Sequence, residues 1–145
     1  MKPYEHILVA VDFLPGSEDI GQRATELMKH YGARLSLIHV VEYLPVTLDN
    51  ELIAPLSMDV EKQLVANAQR QLEEYAARVG LTECRRYVEM GSAKLEILRV
   101  AEEAGVDLIV VGRHGRHGLA RLLGSTASAV LHTASCDVLA VKLGV

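Results

Sequence analysis

Five short runs rich in β-branched and other apolar residues, at 6–11, 34–41, 84–89, 107–111 and 137–142, alternate with longer segments whose apolar residues recur every three or four positions. A chain that reads strand, helix, strand, helix in this way can close its core in few ways. Parallel strands need a crossover connection, and the crossover helix packs back on the sheet in the right-handed sense. The first, fourth and fifth runs are almost continuous in Val, Ile and Leu, the pattern of strands covered on both faces. The expected fold is therefore α/β: a single doubly wound, five-stranded parallel sheet with helices on both faces.

Between the runs, 17–31 sets Ile20, Ala24, Leu27 and Met28 at helical spacing, opposite Glu18, Asp19, Arg23 and Lys29. A longer helix at 60–79 aligns Leu64, Ala68, Leu72, Tyr75 and Val79, with Gly80 as its stop. Ser92 opens a third helix that turns Leu95, Leu98, Val100 and Ala101 inward and is closed by Gly105, and a fourth covers about 126–134. One stretch stands apart. The connection 43–59 is longer than α/β loops usually are, yet carries Leu44, Val46, Leu48, Leu52, Ile53, Leu56 and Met58. Such apolar content is expected to pack, either as a short extra helix on the domain or as a lid or subunit contact. One core suffices for 145 residues, so the whole of 1–145 reads as a single domain.

Charge narrows the function classes. Fifteen Lys and Arg against nineteen Asp and Glu leave a formal net charge of −4, and with no Trp and one Phe the chain lacks both the basic face and the stacking platforms of a nucleic-acid binder. The apolar run 7–11 is too short for a signal-peptide core or a membrane span. Cys84 and Cys136 lie far apart with no metal-ligand spacing, which argues against a zinc framework or a disulfide scaffold. The expectation is a cytoplasmic protein with neither a membrane nor a nucleic acid as partner.

Chemistry concentrates in Gly112-Arg113-His114-Gly115, followed after eight residues by Gly124-Ser125-Thr126, directly after the fourth apolar run and before the fourth helix. Glycine lets backbone N–H groups approach an anion with no Cβ between, and a helix start adds unpaired N–H donors and the positive end of its dipole. Phosphate is the anion such a junction suits. Neither GxGxxG nor GxxxxGK followed by Ser or Thr occurs, so the dinucleotide and P-loop fingerprints are set aside. A plainer reading, tight turns at the glycines and Ser125 as a helix cap, uses the same residues. Arg113, His114 and Arg116, with His117 and Arg121, would add positive field around a phosphate. His114 and His117 have no third ligand at metal spacing, so no metal site built from protein alone is expected.

Asp12 directly follows the first run, at the sheet edge where doubly wound folds bind ligands, and its carboxylate can accept from ribose hydroxyls. Its alternative role is to cap the helix that begins near Pro15 or Ser17. Asp12 and Gly112 flank one crevice only if the first and fourth strands are neighbours. The strand order 3-2-1-4-5 achieves this, with the crevice at the point where the winding reverses.

Taken together, 6–12, 35–40, 107–115, Gly124-Ser125 and 136–141 resemble the universal stress protein family, over essentially the whole chain. The resemblance implies an adenine nucleotide alpha hydrolase-like fold and a nucleotide-binding, stress-response regulatory protein that takes ATP, AMP or ADP. Carried over by position, Ala10, Asp12 and Val40 approach the adenosine, Val111 and Gly112 line its other side, and Gly115, Gly124, Ser125 and Thr126 hold phosphates. In the ATP-binding members the glycine pattern reads GxxG, nine residues, then Gly and Ser or Thr; here the interval from Gly115 to Gly124 is eight, which alters the path of the loop.

No catalytic residue is named. Ser125 has no nucleophile-elbow motif, Asp107 and Asp137 stand at strand starts, and Glu89 is the nearest general-base candidate. Two alternatives to a regulatory nucleotide binder stay open: a slow ATPase or phosphoryl-transfer enzyme using Mg²⁺, and a protein-interaction module with an empty crevice. The apolar terminal strand, Asp137–Lys142, should lie at the sheet edge, and the resemblance implies a homodimer paired through it. Client proteins are not identified.

Overall fold

The computed structural model describes residues 3–42, 47–48, 51–52, 58–113 and 125–143. Along the chain run β1 (His6–Ala10), α1 (Ser17–Tyr31), β2 (Arg34–Val41), β3 (Thr47–Leu48), β4 (Glu51–Leu52), α2 (Met58–Val79), β5 (Arg85–Met90), α3 (Ala93–Glu103), β6 (Leu108–Arg113), α4 (Ser125–Thr133) and β7 (Asp137–Lys142). Five strands form one sheet in the order β5-β2-β1-β6-β7, every neighbouring pair parallel. Counted along the chain, that is the expected order 3-2-1-4-5.

Period-2 alternation sorts the strand side chains onto two faces. Ile7, Val9, Leu35, Leu37, Leu108 and Val110 meet Ile20 and Ala24 of α1 and Leu72, Tyr75 and Ala76 of α2. Leu8, Ile38, Val40, Ile109 and Val111 meet Ile97, Val100 and Ala101 of α3 and Ala127 and Val130 of α4. Helices thus cover both faces, as the unbroken apolar runs required. On the first face α1 and α2 approach closely at Gly21, where a Cβ would stand 2.5 Å from the Tyr75 hydroxyl. That hydroxyl donates to the Ser17 carbonyl at 2.6 Å, and burial of the ring pushes its pKa up to about 12.

The long connection differs from expectation where it is described. Thr47 and Leu48 pair antiparallel with Leu52 and Glu51, so these residues form a two-stranded ladder and not a helix. The intervening Asp49 and Asn50 are types that favour two-residue hairpin turns, a local signal stronger than the apolar content around it. The rest of that stretch up to Met58 lies outside the described residues, and α2 starts at Met58, two residues before the expected 60.

At the N-terminal end of the sheet, polar side chains tie the strands together. The Asp107 carboxylate accepts from the backbone N–H of Glu5 at 2.9 Å and of His6 at 3.0 Å. Buried His6 donates from Nδ1 to the Ala104 carbonyl at 3.2 Å, which leaves Nε2 to accept from the Ser36 hydroxyl at 2.7 Å. The Tyr4 hydroxyl donates to Asp137 Oδ2 at 2.8 Å; that bond holds the phenol proton and pushes its pKa up to about 12. A hollow of about 530 Å³ opens beside this network, lined in part by Arg34, Ser36, Cys84 and Arg85. Among the described residues no helix is long and apolar enough to cross a membrane.

Candidate functional site

At the opposite end, the C-terminal ends of β1, β2 and β6 frame a cleft of about 510 Å³ with the first turns of α3 and α4. The register Val9↔Val110 makes β1 and β6 neighbours, so Ala10 and Asp12 face Val111 and Gly112 across the reversal of the winding. The deep wall is apolar, built from Ile38, Val40, Ile97, Val111 and Ala127, all buried. The mouth is polar, with Asp12, Glu42, Ser125 and Thr126.

Of the expected site residues, the structure brings Ala10, Asp12, Val40, Val111, Gly112, Ser125 and Thr126 to this one cleft. Gly115, Gly124, His114 and Arg116, like His117 and Arg121, lie outside the described residues. Arg113 ends β6, half-buried beside Lys142, and is not part of the cleft wall. Among the described residues no group of three His, Cys, Asp or Glu could hold a metal ion.

Asp12 does not cap α1. Its Oδ1 accepts from the Leu14 N–H at 3.0 Å, two residues on, whereas the N-cap of α1 is Gly16, a glycine with left-handed backbone and no side chain to cap with. Asp12 therefore shapes the loop above β1. Phe13 beside it has φ 60°, a left-handed conformation that costs a non-glycine residue about 1 kcal/mol or more. The Phe13 ring lies 4.2 Å, centroid to centroid, from His39, whose Nδ1 donates to the Val11 carbonyl at 2.6 Å. The strained turn is thus pinned to the end of β2.

Gly112 has a reason to be glycine besides phosphate approach. A Cβ there would run into Ile20 Cδ1 of α1, with Leu143 Cδ1 at 3.6 Å, so the residue packs α1 with its vacant side and presents backbone to the cleft. Its φ is not in the left-handed range, so close packing and not an unusual turn demands it.

Glu89 is not placed to act as a base. It lies on β5, pairs with Arg99 at 3.3 Å, and is not part of the cleft wall. Arg99 also engages Glu96 at 3.1 Å and Glu103 at 2.9 Å, a solvent-facing network along α3.

Sequence reading overlooked Glu42. Its Oε1 accepts from the Ala93 N–H at 3.1 Å and caps α3 from the end of β2, while Ser92, the expected start of that helix, makes no side-chain cap bond. Glu42 directly follows β2 just as Asp12 closely follows β1, so the edge rule that flagged one carboxylate would have flagged the other.

A model of the universal stress protein family matches residues 3–142. Universal stress protein A homolog 1 of Coxiella burnetii is 41% identical over 138 residues, covering 95% of this chain and 96% of its own, and homolog 2 of the same organism is 42% identical over 144 residues, covering 99% and 98%. The hypothetical protein MJ0577 superposes with a TM-score of 0.73 at 22% identity, covering 97% of this chain and 96% of its own. A universal stress protein in complex with cAMP gives 0.66 at 24% identity over 96% and 97%. The universal stress protein of Archaeoglobus fulgidus in complex with dAMP gives 0.64 at 21% over 97% and 99%. With its residues 3–142 matched and its strands wound in the order expected, this chain belongs to the universal stress protein family.

Proposed function

We propose that this chain is a regulatory stress protein that binds an adenine nucleotide, ATP or its AMP or ADP relatives, in the cleft above β1, β2 and β6. One observation carries the reading: a single cleft of about 510 Å³ gathers an apolar slot, a carboxylate at β1 and the first turn of α4. Each suits one part of a nucleotide. The slot between Val40 and Val111 takes a flat apolar base, Asp12 accepts from ribose hydroxyls, and the N–H groups around Ser125 and Thr126, with Gly115 and Gly124 before them, meet phosphates. Universal stress proteins of the same fold, solved in complex with cAMP and with dAMP, support the ligand class. Mg²⁺, where it accompanies ATP, would come with the phosphates.

The test is to denature the purified protein, identify released nucleotide by mass, and titrate ATP into the stripped chain. Asp12→Ala and Gly124→Val should each weaken binding about tenfold, the loss of one hydrogen bond or donor set to a charged group. Unchanged affinity in both variants would overturn the site.

The free side of β7 is where a second copy docks in this reading. Among the described residues β7 has a neighbour, β6, on one side only, and Val138, Leu139, Ala140 and Val141 are half-exposed along it. Sedimentation at micromolar concentration should give a dimer; a monomer there removes the proposal.

A further inference from the structure

We infer that Glu42 reads the base: its carboxylate accepts a hydrogen bond from the exocyclic amino group of the purine held in the cleft. This rests on the nucleotide reading above and adds to it the residue that recognises the ring.

The strand order orients the ligand. β6, β1 and β2 stand side by side, so the cleft runs across two inter-strand spacings, about 10 Å, on the order of the length of a nucleoside 5′-phosphate. The anionic end belongs at the β6 side, where the first turn of α4 supplies N–H donors and a positive dipole end. Asp12 above β1 falls at the middle, beside the sugar. The base then lies over the end of β2, against Ile38, Val40 and Ile97.

Among the described residues two ionisable side chains line the cleft from β2 and its end, His39 and Glu42. His39 is engaged with the Val11 carbonyl and the Phe13 ring, and Glu42 carries the carboxylate. Holding α3 at Ala93 fixes the carboxylate at the mouth without exhausting it, since an ionised carboxylate offers about four acceptor positions and no donor. An acceptor-only group fixed at the rim of a flat apolar slot is matched by an N–H donor on the edge of the ring. The exocyclic amino group of adenine supplies one; the same purine without that group supplies none at that position.

The experiment compares AMP with purine riboside 5′-monophosphate, which differs only in lacking the amino group, by calorimetric titration into wild type, Glu42→Gln and Glu42→Ala. Wild type should prefer AMP by about tenfold, the worth of a hydrogen bond to a charged group partly open to water. Glu42→Ala should bring the ratio close to one, and Glu42→Gln, which keeps an oxygen for Ala93, should retain the apo melting temperature while losing most of the preference. Equal affinity of wild type for the two ligands, or a preference that survives in Glu42→Ala, overturns the role of Glu42 and leaves the nucleotide site standing. Failure of wild type to bind either ligand overturns both. The wild-type comparison needs no variant, so a folding defect in Glu42→Ala does not blunt the test.

Discussion

Two hollows of nearly equal size open at opposite ends of the same sheet, about 530 Å³ beside the strand starts and about 510 Å³ above the strand ends. Volume does not separate them; backbone direction does. In a parallel sheet each crossover helix runs opposite to the strands, so helix C-termini gather at the strand starts and helix N-termini at the strand ends. The first hollow receives carbonyl groups such as that of Ala104, and the polar side chains in and beside it serve the fold: His6, in its wall, engages both nitrogens, and Asp107, beside it, both oxygens. The second receives the first turns of α3 and α4, the ends at which helices carry the positive end of the dipole and N–H donors without intrahelical partners, one of which, at Ala93, is taken by Glu42. The same connectivity therefore makes one end a clasp and the other a receptor.

Breaking the clasp should cost stability without touching the receptor. Asp107→Ala removes two charge-assisted bonds to the start of β1, one of them to an N–H that water can reach, and should lower the unfolding free energy by about 3 kcal/mol in urea titrations. Affinity for any cleft ligand should stay within about twofold. A large loss of affinity with little loss of stability would mean that the two ends are coupled and the comparison is wrong.

The receptor end holds its own packing constraint at Gly112. Gly112→Ala drives a methyl into Ile20 Cδ1 and should cost about 2 kcal/mol through overpacking of α1. Ile20→Val deletes the obstructing methyl, so the double variant should recover much of the loss, a coupling visible in a double-mutant cycle. Strict additivity would show that Gly112 is glycine for the cleft alone.

A subtler property of the clasp is a pH dependence carried by His6. Burial holds the His6 pKa below its ordinary 6.5, and the nearby positive charge of Arg34 pushes the same way. As pH falls through 6.5 the unfolded chain takes up a proton that the folded chain refuses, so stability declines until the lower folded value is passed. Above 6.5 the contribution is constant. His6→Leu should be less stable than wild type at pH 8 because Ser36 loses its acceptor and the Ala104 carbonyl its donor, and the gap should narrow as pH is lowered toward 5. A gap that widens on acidification would contradict the buried neutral imidazole.

Legibility in the sequence followed the same division. The sheet, its order and its covering helices could be read because they depend on periodicity, and β1, β2 and β6 each send apolar side chains to both faces. Asp12, Gly112 and Ser125 could be placed at one cleft because strand ends and the helix start that follows are positions that chain order defines, whereas Ala10, Val40 and Val111 came from the family resemblance. Contacts between distant segments were not readable. Nothing near Gly112 announces Ile20, nothing near His6 announces Ser36, and the short ladder of β3 and β4 falls in a stretch whose apolar residues suggested a short helix, a lid or a subunit contact. Glu89 misled for the same reason, since its partner Arg99 sits on α3.

The smallest expected effect is the most pointed one. From sequence, Ser92 is the residue to cap α3, and removal of a working Ser cap costs about 1 kcal/mol. In the structure Ser92 makes no such bond and the Ala93 N–H is satisfied by Glu42 across a separation of 51 residues. Ser92→Ala should therefore change stability by less than about 0.5 kcal/mol, while Glu42→Ala should cost about 1 kcal/mol, both read from denaturant midpoints at constant slope. The contrast matters for the receptor end because a cap supplied by β2 fixes the α3 start against the strand end, and with it the rim of the cleft. If Ser92→Ala proves the costlier of the two, the helix caps itself and its start is not anchored to the strand.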